Sequence, residues 1–244
     1  MEILIIIIGR LIMNRNFKYE LDHVKLTFFP TLLITSGLQF IILFGFFEIG
    51  FNDHESANQI FENVNTLWGF CTLLTITISS IYSGIRSCHS VISDYMNDNK
   101  IRLYLFPKGR GPLLINKIFA FTFIQISAEL VSLIGIDILY LLIFLIIPKL
   151  TGSINLNNFI VILSMTLFSS FSLITSMVIG IVKASKVATT ITSVIISIIF
   201  ANLMARITTK VPVITLAITL ALFLISLLFL EYGKEYINHD ELER

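Results

Sequence analysis

Residues 213–230 of the sequence read VITLAITLALFLISLLFL, a run without a charged side chain. A helix needs about 20 apolar residues to cross the hydrocarbon core of a bilayer, which is about 30 Å thick. Five other blocks have the same character and cover residues 26–47, 64–85, 113–147, 156–182 and 187–205. None has the alternation of a membrane β-barrel strand. The sequence therefore predicts an all-α, polytopic membrane protein with six transmembrane helices.

The overall composition excludes most other classes of protein. Of the 244 residues, 55% are hydrophobic and 14% are charged, and the mean hydropathy is +0.88. A soluble domain carries about 25% charged residues, so this chain has too little polar surface for a soluble enzyme. The net charge of +1 gives no basic field for nucleic acid. Cys71 lies in an apolar run and Cys88 in a charged loop, and both are expected to be free thiols.

The distribution of basic residues predicts the orientation in the membrane. Fourteen of the 17 Lys and Arg residues lie on one side of the membrane if the six blocks span it in turn. They lie before the first block, from the end of the second to the start of the third, between the fourth and fifth, and after the sixth. The other side carries only Lys149, Arg206 and Lys210. Segments rich in Lys and Arg stay in the cytoplasm. The basic side is therefore expected to be cytoplasmic, with both chain termini inside.

Three regions follow from this pattern. Residues 1–25 are predicted to form an interfacial helix on the cytoplasmic leaflet, because a short apolar run precedes Arg10, Arg15 and Lys18; a frayed tail is the alternative. Residues 26–231 form the six-helix domain, with a loop at 86–112, and residues 232–244 form a cytoplasmic tail. The block 113–147 is too long for one perpendicular crossing, so we expect it to extend into the cytoplasm or to bend.

Motifs for catalysis and nucleotide binding are absent from the sequence. It contains no G-x-x-x-x-G-K-[ST] phosphate loop, no G-x-S-x-G elbow and no H-E-x-x-H zinc motif. The four histidines, His23, His54, His89 and His239, lie in predicted loops or tails on both sides of the membrane. We expect a protein that is not itself an enzyme.

The loop at 86–112 carries more apolar residues than a solvated loop needs. Ser93 or Asp94 is a plausible N-cap and Pro107 a plausible stop, which predicts a short helix between them. Its apolar side chains are Met96, Ile101, Leu103, Leu105 and Phe106. Such an amphipathic helix suits docking into a groove on a partner protein. The alternative is a helix that rests on the lipid surface.

Six spans, an N-terminal interfacial helix and an acid-led loop helix between spans two and three resemble the ABC-2-type permease family. In that family the loop helix, called the coupling helix, contacts an ATPase subunit. It runs from an acidic residue through a leucine-rich stretch to a proline and an arginine, followed by a lysine in the next span. The corresponding residues here are Asp94, Leu103, Leu105, Pro107, Arg110 and Lys117.

The resemblance implies a function and a set of partners. The chain would be the permease subunit of an ATP-binding cassette exporter for hydrophobic or amphipathic peptides or drugs, in a bacterial plasma membrane. It would bind no cofactor directly, because ATP and Mg would bind to the ATPase subunit, and a second permease copy would complete the pathway. The implied ATPase contacts are Asp94, Tyr95, Met96, Asp98, Ile101, Leu103, Leu105 and Phe106.

Glu129 and Asp137 lie inside the third block, where an ionised carboxylate costs roughly 2.5–3.5 kcal/mol. Eight residues apart on a helix, they are separated by about 80° around the axis and about 12 Å along it. They could bind cationic groups of a substrate, or form a proton relay in a stand-alone secondary transporter or channel. The alternative is a neutral Glu that is hydrogen-bonded to Ser or Thr on a neighbouring span.

Small residues recur at helical spacing in the fourth and fifth blocks. Such stripes let helix backbones approach closely, which favours helix packing; lining of a polar pathway is the alternative. The residues are Ser169, Ser172, Ser176 and Gly180, then Thr189, Ser193 and Ser197. Trp68 and the aromatic cluster at 44–47 are expected to anchor the outer interface. A protein that binds a peptide without moving it, as an immunity protein does, stays open as a third function.

Overall fold

The computed structural model describes residues 15–52, 64–96, 110–146 and 156–242, and within these ranges nearly every residue is helical and no strand occurs. Six of the helices are long and apolar enough to cross a membrane, which confirms the predicted fold class. The α-helices are α1 (Arg15–Val24), α2 (Phe28–Asn52), α3 (Val64–Ser90), α4 (Arg110–Ile146), α5 (Leu156–Val182), α6 (Lys186–Lys210) and α7 (Pro212–Leu242).

Helix ends follow from local chemistry. A turn at residues 183–185 joins α5 to α6; Ala184 adopts a φ of 45° there, and the Ser185 hydroxyl caps α6 by accepting from the Ala188 amide at 3.2 Å. Pro212 begins α7, where its missing amide hydrogen costs no helical hydrogen bond. Helix α4 runs unbroken for 37 residues, roughly 55 Å. The long block is therefore one helix that extends beyond a single crossing.

The six long helices run alternately up and down. We call one end of the bundle the basic end: α1, the start of α4, the turn at 183–185 and the end of α7 lie there. Its core brings together residues from five parts of the chain: Val24 of α1, Val91 just after α3, Leu114 of α4, Val178 of α5 and Ile237 of α7. A second cluster fills the middle, and a third, around Trp68 and Tyr140, lies towards the opposite end.

Helix α5 is the most buried of the six and packs against α3, α4, α6 and α7. Helix α2 packs against α3 and α4 instead. The outer faces of α2, α6 and α7 expose large apolar side chains such as Ile41, Ile199 and Leu228. Faces of this kind are stable against lipid and unfavourable against water. The fold is thus that of a multi-pass membrane protein.

Helix α1 and the 3-10 turn Lys25–Thr27 lead almost directly into α2. Glu20 and Val24 are buried on the side of α1 that packs against α4, while Lys18 and Tyr19 are exposed. Residues 1–14 of the predicted interfacial segment lie outside the described residues. At the other terminus, α7 continues as a helix through the predicted tail to Leu242.

Candidate functional site: a polar network inside the bundle

Glu129 lies at the middle of α4 and has no exposed surface. Its Oε1 accepts two hydrogen bonds of 3.0 Å, one from the Ser79 hydroxyl of α3 and one from the Ser169 hydroxyl of α5. Its Oε2 has no hydrogen-bond partner among the described residues. The carboxyl group therefore joins three helices. Its partners are serine hydroxyls on neighbouring spans, which is the hydrogen bonding predicted by the alternative in which Glu129 has a packing role.

Further polar side chains extend this contact along the bundle. The Thr35 and Ser79 hydroxyls are 3.0 Å apart, which brings α2 into the network. One turn of α4 closer to the basic end, the side-chain Oε1 of Gln125 accepts a hydrogen bond from the Ser83 hydroxyl at 3.3 Å. We call these residues the Glu129 network: Thr35, Ser79, Ser83, Gln125, Glu129 and Ser169.

Asp137 has its own set of partners, nearer the opposite end. Trp68 Nε1 donates to Asp137 Oδ1 at 2.6 Å, and Gln39 Nε2 donates to the same oxygen at 3.4 Å. The side-chain Oε1 of Gln39 in turn accepts a hydrogen bond from the Thr75 hydroxyl at 2.5 Å. We call these four residues the Asp137 site. Gln39 is one helical turn from Thr35, so the site adjoins the Glu129 network on α2.

The expected role of Trp68 as an interfacial anchor is wrong. Its side chain is 1% exposed and points to Asp137 inside the bundle. Tryptophan favours membrane interfaces because its N–H needs a polar partner there. A buried carboxylate meets the same need. Phe44, one of the other expected anchors, is 56% exposed on α2.

The small-residue stripes lie between helices. Ser169, Ser172, Ser176, Thr189, Ser193 and Ser197 have no exposed surface, and Gly180 is buried. Gly180 touches the Thr189 side chain so closely that a Cβ there would overlap it. The stripe on α6 continues against α3: Ser193 donates to the Ser80 carbonyl at 3.0 Å, and the Ser197 and Ser80 hydroxyls are 2.6 Å apart.

At the basic end, residues Ile92–Tyr95 of the loop that resembles a coupling helix form a 3-10 helix. Asp94 does not cap an α-helix as expected, because Met96 has an extended backbone. Ser93 donates back to the His89 carbonyl at 2.6 Å, and the Asp94 carboxylate pairs with the Lys117 ammonium of α4. Tyr95 is buried. The other loop residues named above, Asp98, Ile101, Leu103, Leu105 and Phe106, lie outside the described residues.

Only the Lys117 end of this ion pair is shielded from solvent. The Lys117 side chain is 6% exposed and that of Asp94 is 41% exposed. Glu20 of α1 is buried close enough to interact electrostatically with both. Three elements, α1, α4 and the 3-10 helix, therefore meet around one buried cation.

Both cysteines are free and buried, as expected for the thiols. The placement of Cys88 in a loop is wrong, because it lies in the last turns of α3 with its Sγ 3.3 Å from the Lys186 carbonyl. Helix α3 therefore extends beyond the predicted span, and the Cys88 sulfur contacts the Lys186 carbonyl and the Thr190 hydroxyl at the start of α6.

Sequence reasoning missed most partners of the two carboxyl groups. Gln39 and Thr35 are four residues apart on α2, and Thr75, Ser79 and Ser83 follow at the same spacing on α3. Polar residues at four-residue intervals in an apolar run indicate one helix face turned towards protein. That pattern was the available signal. The pairing with Glu129 and Asp137 required the three-dimensional contacts.

Among the described residues, no group of three His, Cys, Asp or Glu side chains could hold a metal ion. In comparisons with known proteins, no protein-family model, curated protein or solved structure matches the chain. The fold and the site define a class: a six-helix, multi-pass membrane protein with carboxyl groups held in its interior.

Proposed function

We propose that the chain is the membrane-spanning permease subunit of an ATP-binding cassette exporter, driven by a separate ATPase subunit that binds ATP and Mg. Two copies of the permease, identical or related, form the pathway in a bacterial plasma membrane. The basic end faces the cytoplasm, and the loop after Tyr95 docks on the ATPase. The cargo is a hydrophobic or amphipathic peptide or drug.

The observation that carries the proposal is the ion pair between Asp94 and Lys117. Asp94 lies in the loop at 86–112, two residues before Met96, and Lys117 lies two turns into α4, the helix that follows the loop. A force applied to the loop would pass through this pair to α4 and, through Glu20, to α1. A coupling element needs a rigid connection of this kind to the transmembrane helices.

Two short segments between the apolar blocks support the cargo class. The segments at residues 149–155 and 206–212, which join the apolar blocks on the side away from the ATPase, are short. Exporters of long polysaccharides need additional re-entrant elements at that side. A small amphipathic molecule that partitions into the bilayer needs none.

A stand-alone secondary transporter or channel is the second candidate. The observation that favours it is the line of buried polar side chains from Asp137 to Gln125, because carboxyl groups in membrane helices often mark ion or proton pathways. In that case the loop would have no partner, and Glu129 and Asp137 would carry the transported charge.

The experiment is purification of the tagged chain, co-expressed with its genomic neighbours, in mild detergent. We expect an ATPase subunit to co-purify. Leu103→Pro places a helix breaker in the predicted coupling helix and should release the ATPase. Leu150→Pro makes the same substitution in a segment that the sequence places between two spans on the other side, and it serves as the matched control.

The outcomes separate the candidates. Loss of the ATPase in Leu103→Pro but not in Leu150→Pro supports a permease with its coupling element in this loop. An ATPase that stays bound to Leu103→Pro contradicts the assigned docking site. If no ATPase binds the wild-type chain, the exporter proposal fails and the secondary transporter stands.

A further inference from the structure

A small cavity lies between α4 and α5 beside the Asp137 site. Its volume is about 20 Å³. A buried water needs roughly 10–15 Å³ of such space, so the cavity has room for one water molecule. The lining side chains are Ile134, Asp137, Ile138, Asn158, Phe159 and Ile162.

Asn158 supplies an unused hydrogen-bond donor to this cavity. Its side chain is more than nine-tenths buried, and its Nδ2 has no hydrogen-bond partner among the described residues. A buried N–H without an acceptor is unfavourable, and most such groups in folded proteins bind protein or water. Asn158 lies in the first turn of α5, so it is close to the opposite end of the bundle.

Asp137 supplies an unused acceptor. Trp68 and Gln39 both donate to Oδ1, which leaves Oδ2 for another donor. An amide donor and a carboxylate acceptor on one cavity are the partners that a single water molecule satisfies at once, since water accepts from the first and donates to the second. The other lining side chains are apolar and offer a larger ligand no polar contact.

We propose that this cavity binds one water molecule, held between Asn158 Nδ2 and Asp137 Oδ2. The water connects Asp137 to the opposite end of the bundle, where α5 begins. It gives the carboxyl group a path for proton exchange that Trp68 and Gln39 block on the inner side. The site is independent of whether an ATPase or an ion gradient drives the protein.

The chain contains a natural probe of this site. Trp68 is the sole tryptophan, and its indole N–H bonds directly to Asp137. A change in the charge of the carboxyl group therefore alters Trp68 fluorescence. The titratable neighbours that interact with Asp137 or lie beside it are the Cys71 thiol on α3 and the Tyr140 hydroxyl on α4, and both are neutral near pH 7. No basic side chain in the described ranges forms an ion pair with Asp137.

The test is a rapid pH jump on the purified protein, followed by Trp68 fluorescence. We expect Asp137→Asn to abolish the response. Asn158→Leu removes the donor and fills the cavity, and it should slow the response by roughly tenfold, the rate equivalent of about one lost hydrogen bond. Asn157→Leu changes the exposed neighbour in the same way and should leave the rate unchanged.

Several results would overturn the proposal. They are an unchanged rate in Asn158→Leu, an equal slowing in Asn157→Leu, and a Trp68 response that survives in Asp137→Asn. A saturable change in fluorescence on adding Na⁺ or K⁺ at constant pH would identify a cation site instead of a water site. If Asn158→Leu does not fold, an experimental wild-type structure that resolves waters decides. Density between Asn158 and Asp137 supports the site, and an empty cavity refutes it.

Discussion

Glu129 shows how a single carboxyl group is accommodated in the apolar part of this protein. Both of its hydrogen bonds come from hydroxyls and converge on one oxygen. A carboxylic acid in its neutral form retains that acceptor oxygen and avoids the cost of an ion in a low-dielectric environment. The residue therefore connects α3, α4 and α5, and it forms no ion pair with any residue that the structure describes.

Glu129→Gln and Glu129→Leu should separate packing from transport chemistry. Glutamine keeps the carbonyl acceptor for Ser79 and Ser169, so its free energy of unfolding should stay within about 0.5 kcal/mol of the wild-type value. Leucine leaves both hydroxyls without their acceptor and should cost about 1–2 kcal/mol. Equilibrium unfolding in detergent measures both values. Export that persists in Glu129→Gln agrees with an ATP-driven permease, whereas a transporter that moves protons through Glu129 loses its activity.

At the scale of helices, close packing depends on a few small residues. Gly84 of α3 and Gly180 of α5 each lie against a side chain of α6, Ser193 and Thr189 respectively. Without a strong hydrophobic force between helices in lipid, such close contacts and interhelical hydrogen bonds hold the bundle together.

Gly180→Ala should destabilise the protein by about 1–3 kcal/mol, because its Cβ overlaps the Thr189 side chain. Gly37→Ala is the matched control: in the part of the chain that the structure describes, nothing beyond its chain neighbours and its own helix backbone lies within 4 Å of a Cβ there, and alanine raises helix propensity. Thermal unfolding of the two variants measures the difference. The double variant Gly180→Ala with Thr189→Ala should recover part of the loss. Equal effects of Gly180→Ala and Gly37→Ala would contradict the close approach of α5 and α6.

The Asp94–Lys117 pair joins elements at the basic end, and its two members should differ in importance. Lys117→Met leaves Asp94 without its ion-pair partner and removes one of the two cations, with His23, that act on the buried Glu20, which should cost about 2–3 kcal/mol. Asp94→Asn should cost about 1 kcal/mol, because Asp94 is partly exposed and Lys117 keeps Glu20 nearby.

Lys25→Met removes the lysine of the exposed pair with Asp22 and is the control, with an expected change below about 0.5 kcal/mol. Chemical unfolding ranks the three variants. A loss in Lys25→Met as large as that in Lys117→Met would show that the basic end does not depend on the buried lysine. In the proposed complex, Lys117→Met should also leave ATP hydrolysis active while transport is lost.

At the scale of the whole molecule, the helices could be predicted far better than their contacts. Length and hydropathy suffice for the six spans, and the predicted block 156–182 coincides with α5. Helix ends that depend on packing were missed, such as the last turns of α3 against α6. The two carboxyl groups were found because charges are rare in apolar blocks. Their partners Gln39 and Trp68 were not, because neutral polar residues become recognisable only when another helix places an acceptor beside them.

The most direct test of the central proposal is native mass spectrometry of the complex purified from cells that co-express the neighbouring genes. An exporter of this kind predicts a mass equal to two permease chains plus two ATPase subunits. Leu103→Pro should leave a species made of permease chains alone. A wild-type protein that is found as this chain without any ATPase, in whatever copy number, would contradict the proposal.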